Sequence, residues 1–359
     1  MSRPTLYIAI TNHGFGHASR ITTVAAAVQR LCPDVLLILT TTAPRWLLES
    51  YLPGDFILRP RAYDVGVVQR DSLTMDQGET LAQLRRIRDR APQIIAKEVE
   101  YLHTNAVDLV LGDIPPLAAP IAKAAGMPGW MMGNFGWDFI YRAWGGEFVE
   151  FADWIGDCFG QCDRLFRLPF HEPMAAFAEI TDVGLTGDLP RYDRQELRAK
   201  FSLMAEAEQT ILLTFGGLGL EQIPYNKVKD FPHWQFITFD RHAPDFPNLL
   251  RITDRRYRPV DIMPLCDRVL SKPGFSTFSE AIRLGVPIIS LERAGFAETP
   301  LLLEGLQTYS HHQILSPDAF FAGDWEILAQ PLAPPQSSHP LASNGTETIA
   351  NAIVRQLCP

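Results

Sequence analysis

The 359 residues are 47% hydrophobic and 20% charged, the profile of an ordinary folded chain of about two domains, which excludes disordered and fibrous architectures. Thirty-two Lys and Arg against 41 Asp and Glu give a net charge of −9, so there is no general basic field to hold nucleic acid or an anionic membrane, and any polyanion must be gripped locally. Five scattered cysteines are unlike a disulfide framework and point to a reducing cytoplasm; no apolar run approaches the roughly 18 residues that cross a bilayer, which leaves only peripheral membrane contact open.

In chain order, residues 5–11 are apolar and β-branched, a glycine-bearing loop follows, and 19–31 places Ile21, Val24, Ala25, Val28 and Leu31 on one side of a helix. A second apolar run covers 34–41, and a third, 107–111, precedes an Ala-rich helix over 117–125. Such alternation predicts βαβ units around a parallel sheet. Between them, 81–103 reads as a charged helix burying Leu84, Ile87, Ile94, Ile95 and Val99, which Pro92 should kink or restart. An aromatic-dense stretch, 134–154, and a proline-punctuated connection, 168–190, follow, and a domain boundary is expected near residue 185. The second half restarts the pattern, with strands over 210–215, 234–239, 268–270 and 286–291 and a short helix over 276–284. Residues 332–340 are a Pro/Ser-rich loop, and 344–357 form a helix able to pack across either domain. The expected division is 1–185, 186–340 and a C-terminal helix within 341–359.

Three segments carry chemistry. His13, Gly14, Phe15, Gly16, His17 and Arg20 lie between the first strand and the first helix, where glycines let the backbone approach an anionic or sugar group beside a helix N-terminus. Ser19 stands where the dinucleotide fingerprint needs a third glycine, and the Gly-Lys-Ser/Thr ending of a phosphate loop is absent, which argues against nicotinamide chemistry and P-loop hydrolysis. His17 is the expected general base, since an imidazole with a pKa of about 6.5 accepts a hydroxyl proton at neutral pH. Second, Gly216, Gly217 and Gly219 end a strand and offer backbone N–H groups to a phosphate. Third, Lys272 and Gly274 lead into a helix whose first turn bears Ser276 and Thr277, with Glu280 one turn on, able to accept both hydroxyls of a ribose. Each segment also has a plainer reading as a structural turn or helix cap.

These segments resemble the GT-B-type nucleotide-sugar glycosyltransferases, especially the family 28-like group, over nearly the whole chain. The resemblance implies an α/β fold of two Rossmann-like domains facing across a cleft, with Gly216, Gly217, Gly219, Ser276, Thr277 and Glu280 holding a nucleotide diphosphate and Glu298 on the donor sugar. The strings HGFGHASR, GDIPP at 112–116, NFGWDFIY at 134–141 and SKPGFSTFSEA are more closely similar to the glycosyltransferase-like N-terminal domain of plant L-arabinokinases and its stand-alone bacterial relatives. The kinase half's phosphate-binding motif is not found, so kinase activity is not expected. The Gly-x-Gly-His-x-x-Arg string also resembles the nucleotide-sugar hydrolase of pseudaminic acid synthesis, which leaves transfer, hydrolysis and epimerisation open, beside a catalytically silent nucleotide-sugar-binding module.

The expected activity is inverting, metal-independent transfer of a sugar from a nucleotide-diphosphate-sugar to an unidentified acceptor hydroxyl, with no cofactor. No Asp-x-Asp pair offers the usual carboxylate cage for a metal-bound diphosphate. Asp113 is expected to orient His17 or face the acceptor. His13, Arg20, Asn134, Trp137 and Asp138 are expected on the acceptor side, where an aromatic face stacks on a sugar ring. Cys158 and Cys162 read as buried thiols, and His311 and His312 as solvated loop residues.

Overall fold

The computed structural model of the chain describes residues 3–70, 73–203, 210–217, 219–220 and 222–358. The first unit runs β1 (Thr5–Ile10), α1 (Gly16–Leu31), β2 (Leu36–Thr40), α2 (Arg45–Tyr51), β3 (Ile57–Arg59), α3 (Gln77–Thr104), β4 (Leu109–Asp113) and α4 (Ala118–Ala124). It continues through β5 (Gly129–Gly133), α5 (Trp137–Trp144), α6 (Phe148–Phe159), β6 (Arg164–Arg167) and β7 (Ile180–Asp182). All its strand pairs are parallel, in the order β3-β2-β1-β4-β5-β6-β7. Helices cover both faces, so β1 and β4 are buried at every residue, and this is why their sequences are apolar runs rather than alternations.

The second unit holds α7 (Arg194–Lys200), β8 (Thr210–Thr214), β9 (Gln235–Thr238), β10 (Leu249–Arg251), α8 (Pro259–Ile262), β11 (Arg268–Ser271), α9 (Phe275–Leu284) and β12 (Ile288–Leu291). It ends with α10 (Glu298–Tyr309), β13 (His312–Leu315) and α11 (Pro317–Ala322), and its parallel sheet has the order β10-β9-β8-β11-β12-β13. The last helix, α12 (Gly345–Leu357), packs against α1. One apolar cluster runs from Leu6, Ile21 and Val28 through Phe278 and Ile353 to Leu212 and Ile237, so the two sheets share a core across α1, α9 and α12.

Each sheet reverses its strand order once, between β1 and β4 in the first and between β8 and β11 in the second. Loops leaving neighbouring strands diverge there and open a crevice at the strand C-termini. Register sets what meets in it: Ile10 lies opposite Asp113, and Thr214 opposite Ser271.

Three local expectations change. The helix holding Pro92 does not restart there: α3 runs unbroken from Gln77 to Thr104, with Leu84, Ala91 and Leu102 buried in one apolar cluster. The connection 168–190 contains a strand, β7, which pairs with β6. His312 is a buried residue of β13, paired with Ile288, whose Nδ1 bonds the Ser310 carbonyl at 3.0 Å; only His311 is exposed. Among the described residues, no helix is long and apolar enough to cross a membrane.

Candidate active site

A cleft opens where the two crevices face each other, lined from the first unit by the loop His13–Gly16 with His17 and Arg20, and from the second by Thr214, Gly216, Gly217, Lys272, the start of α9, Arg293, Phe296 and Glu298. The walls touch: Ser276 Oγ donates to the Gly16 carbonyl at 2.8 Å, and the Phe15 ring lies over Gly217, where any Cβ would overlap it. Gly216 has φ +78°, a left-handed turn that glycine adopts at no steric cost.

His17 sits in the first turn of α1 and is 7% exposed. Its Nδ1 lies 2.9 Å from Asp113 Oδ1, and Arg20 grips the same carboxylate through Nε and Nη2, both at 2.6 Å. Burial would raise the Asp113 pKa, but Arg20 and His17 outweigh it and hold the carboxyl below its ordinary value, so it is ionised and accepts only. Nδ1 of His17 must therefore carry the proton, and the 3.0 Å approach of Arg20 Nη2 to that nitrogen is a neighbourly contact, not a hydrogen bond. The lone pair is left on Nε2. Burial pushes the His17 pKa below the usual imidazole value, with Asp113 pulling up and Arg20 pushing down, so the ring is neutral at neutral pH.

His13 takes the opposite tautomer. The Val67 N–H donates to its Nδ1 at 3.3 Å, so Nε2 bears the proton. Burial, then His17, Arg293 and Lys272, hold its pKa well below the usual value. Its ring stacks on Phe296 with centroids 5.9 Å apart. The cleft thus presents one imidazole able to accept a proton and one able to donate a hydrogen bond.

A buried relay continues from the base. Arg20 Nη1 donates to Asn134 Oδ1 at 2.8 Å, and Asn134 Nδ2 donates to Glu298 Oε1 at 2.7 Å, joining His17 to the first residue of α10 in the other unit. Across the cleft from His17, α9 begins after Gly274 with no side-chain cap, so its first N–H groups are available to an anion beside Lys272 and Arg293.

Of the expected site residues, His13, Gly14, Gly16, His17, Arg20, Gly216, Gly217, Lys272, Gly274, Ser276, Thr277 and Glu298 line the cleft. Asp113 and Asn134 stand behind it, fully buried. Four do not line it. Trp137 is 0% exposed, a core side chain whose Nε1 bonds Thr11 Oγ1 at 2.8 Å, because the aromatic stretch folds as a helix packed on the sheet. Asp138, in the same first turn of α5, is half-buried away from the cleft. Gly219 closes its turn with a 3.2 Å bond to the Gly216 carbonyl. Glu280 lies on the side of α9 facing the inter-sheet linker, 5% exposed and against Gly187, where burial pushes its pKa up to about 8. Its carboxylate is not among the side chains that line the cleft.

Gln69 and Arg293 also line the cleft and lie outside the segments singled out from the sequence. The signal for Arg293 was present, two residues beyond the C-terminus of β12, where parallel sheets collect ligands. Among the described residues, no group of three or more His, Cys, Asp or Glu side chains is arranged to hold a metal ion.

Comparison with solved structures identifies the architecture. The glycosyltransferase of kitacinnamycin superposes over 99% of this chain and 100% of its own, with TM-score 0.60 and 15% identity. UGT89C1 of Arabidopsis thaliana, solved with UDP, superposes over 99% of this chain and 94% of its own, with TM-score 0.60 and 15% identity. The chain has the GT-B fold. In this GT-B chain the two Rossmann-like units are the two sheets described above, and the cleft is the space between them. No family model matches the sequence. The L-arabinokinase of Arabidopsis thaliana is 31% identical over 317 residues, covering 84% of this chain. The GT-B chain spans 29% of that relative's length.

Proposed function

We propose that the chain is a glycosyltransferase that moves a sugar from a nucleotide-diphosphate-sugar to an acceptor hydroxyl, by one displacement with inversion and without a metal. The observation that supports it most is the neutral His17, held by Asp113 with its acceptor nitrogen on Nε2, facing an uncapped helix start and Lys272 across one cleft. The acceptor oxygen loses its proton to His17 Nε2 as it bonds the anomeric carbon, and the bond from that carbon to the diphosphate oxygen breaks on the opposite face. The negative charge that develops on the diphosphate meets the first N–H groups of α9, the Gly216–Gly217 turn, Lys272 and Arg293, all oriented beforehand. His13 Nε2–H and Glu298 are placed to bond sugar hydroxyls.

With water in the acceptor's place the same groups give a hydrolase, and rearrangement within the bound sugar gives an epimerase. Product analysis with and without an acceptor panel separates these. Transfer gives a glycoside of inverted configuration, hydrolysis gives free sugar in the absence of any acceptor, and epimerisation gives an altered sugar. Binding without any turnover, unaffected by His17→Ala, would leave a silent binding module. The expected result is that His17→Ala abolishes turnover and leaves nucleotide affinity within about threefold.

A further inference from the structure

Cys32 is the C-cap of α1 and Cys358 the C-cap of α12. They are 326 residues apart in sequence, yet their sulfurs lie 2.8 Å apart, and both are thiols. The contact follows from the packing of α12 on α1, which brings the two helix ends together. Cys358 is exposed while Cys158, Cys162 and Cys266 are buried, so the one thiol that an oxidant reaches is also the one with a facing partner. We propose that Cys32 and Cys358 are a redox modification site, closing to a disulfide on exposure to a small disulfide such as oxidised glutathione.

The exchange balances. The Cys358 thiolate attacks one sulfur of the small disulfide, breaking its S–S bond and expelling a small thiolate, and a mixed disulfide forms. The Cys32 thiolate then attacks Cys358 Sγ and expels the second small thiolate. Two protein thiols are oxidised, one small disulfide is reduced to two thiols, and the two protein thiol protons pass to the departing thiolates. Cys358 makes the first attack because it is the exposed thiol of the pair, while burial and the neighbouring Cys358 raise the pKa of the covered Cys32 to about 11.

Closure would fasten α12 to α1 covalently. The other end of α12 is already tied to the linker between the sheets, through Gly345 N–H to the Leu185 carbonyl at 3.1 Å and Leu185 N–H to the Ala342 carbonyl at 2.7 Å. The helix whose first turn carries His17 would then be strapped to that linker, and the loop closed in the unfolded state would span nearly the whole chain.

The test treats the full chain with oxidised glutathione, blocks residual thiols, and maps unreduced peptides by mass spectrometry. The expected result is a linked peptide joining Cys32 to Cys358, lighter by two hydrogens than its reduced parts. Tm should rise by roughly 5 °C and fall back on reduction. Cys32→Ser should stop at a glutathione adduct on Cys358, and Cys358→Ser should gain neither the link nor the Tm shift. The proposal is overturned if wild-type Cys358 ends as a stable glutathione adduct or as a link between two chains, or if it stays a thiol under conditions that modify it in Cys32→Ser.

Discussion

Replacing Asp113 with Asn removes the one charge that organises the base. The carboxylate is 0% exposed and takes three contacts, two from Arg20 at 2.6 Å and one from His17 at 2.9 Å. The amide keeps the shape but loses the charge, so the Arg20 guanidinium, itself 3% exposed, loses its counter-ion and keeps only neutral acceptors, the new amide oxygen and Asn134. Breaking a buried pair from one side costs about 3–5 kcal/mol, which should appear as a clear fall in Tm. The catalytic cost has a different origin. An amide can offer its N–H to His17 Nδ1, which reverses the tautomer and moves the proton to Nε2, the atom meant to accept one. A loss of about 10³–10⁴ in kcat is expected, with nucleotide affinity nearly unchanged. The assay is single-turnover release of nucleoside diphosphate, with calorimetry for binding. Because Asp113 and His17 act as one unit, the double variant should be no slower than His17→Ala alone. A rate within threefold of wild type in a folded, nucleotide-binding Asp113→Asn protein would refute the tautomer argument, as would losses that multiply in the double variant.

The depressed pKa of His17 places the acid limb of the rate profile below the usual imidazole value of about 6.5, since falling pH removes the Nε2 lone pair; a pH profile of kcat checks this. Gly217→Ala puts a methyl into the Phe15 ring and should cost about 1–3 kcal/mol, most of it recovered when Phe15→Ala is added in a double-mutant cycle. Glu280, raised to about 8 by burial, is more protonated folded than unfolded, so its contribution falls as pH rises from the ordinary carboxylate range through about 8. The Tm of Glu280→Gln relative to wild type should therefore climb between pH 5 and about 8 and level off above; a constant difference would contradict the buried placement.

The architecture was legible because buried parallel strands are mostly apolar runs, and β1, β4, β8 and β12 announce themselves without any contact information. The short edge strands were not. Ile57–Arg59 and Leu249–Arg251 have three residues each and exist only because a neighbouring strand pairs with them. The loop at 13–20 was readable as a site because glycine and histidine follow a strand, a local signal. Asp113, at a strand end, was expected to orient His17 or face the acceptor, and the Ile10 to Asp113 register brings it to His17; that Asn134 would join Arg20 to Glu298 depends on how the two units face each other, which is written in no local pattern. Trp137 and Glu280, both expected in the cleft, lie outside its lining for one shared reason. A residue type suited to sugar or ribose says nothing about which side of its helix faces the cleft.

On this reading a nucleotide diphosphate seats between the Gly216–Gly217 turn and the start of α9. Calorimetric titration of nucleoside diphosphates and nucleotide-sugars into wild type and Lys272→Ala tests it most directly. At least one nucleotide-sugar should bind wild type and raise its Tm by mass action, and Lys272→Ala should weaken this binding at least tenfold. No binding by wild type across the panel, or equal binding by the variant, would contradict it.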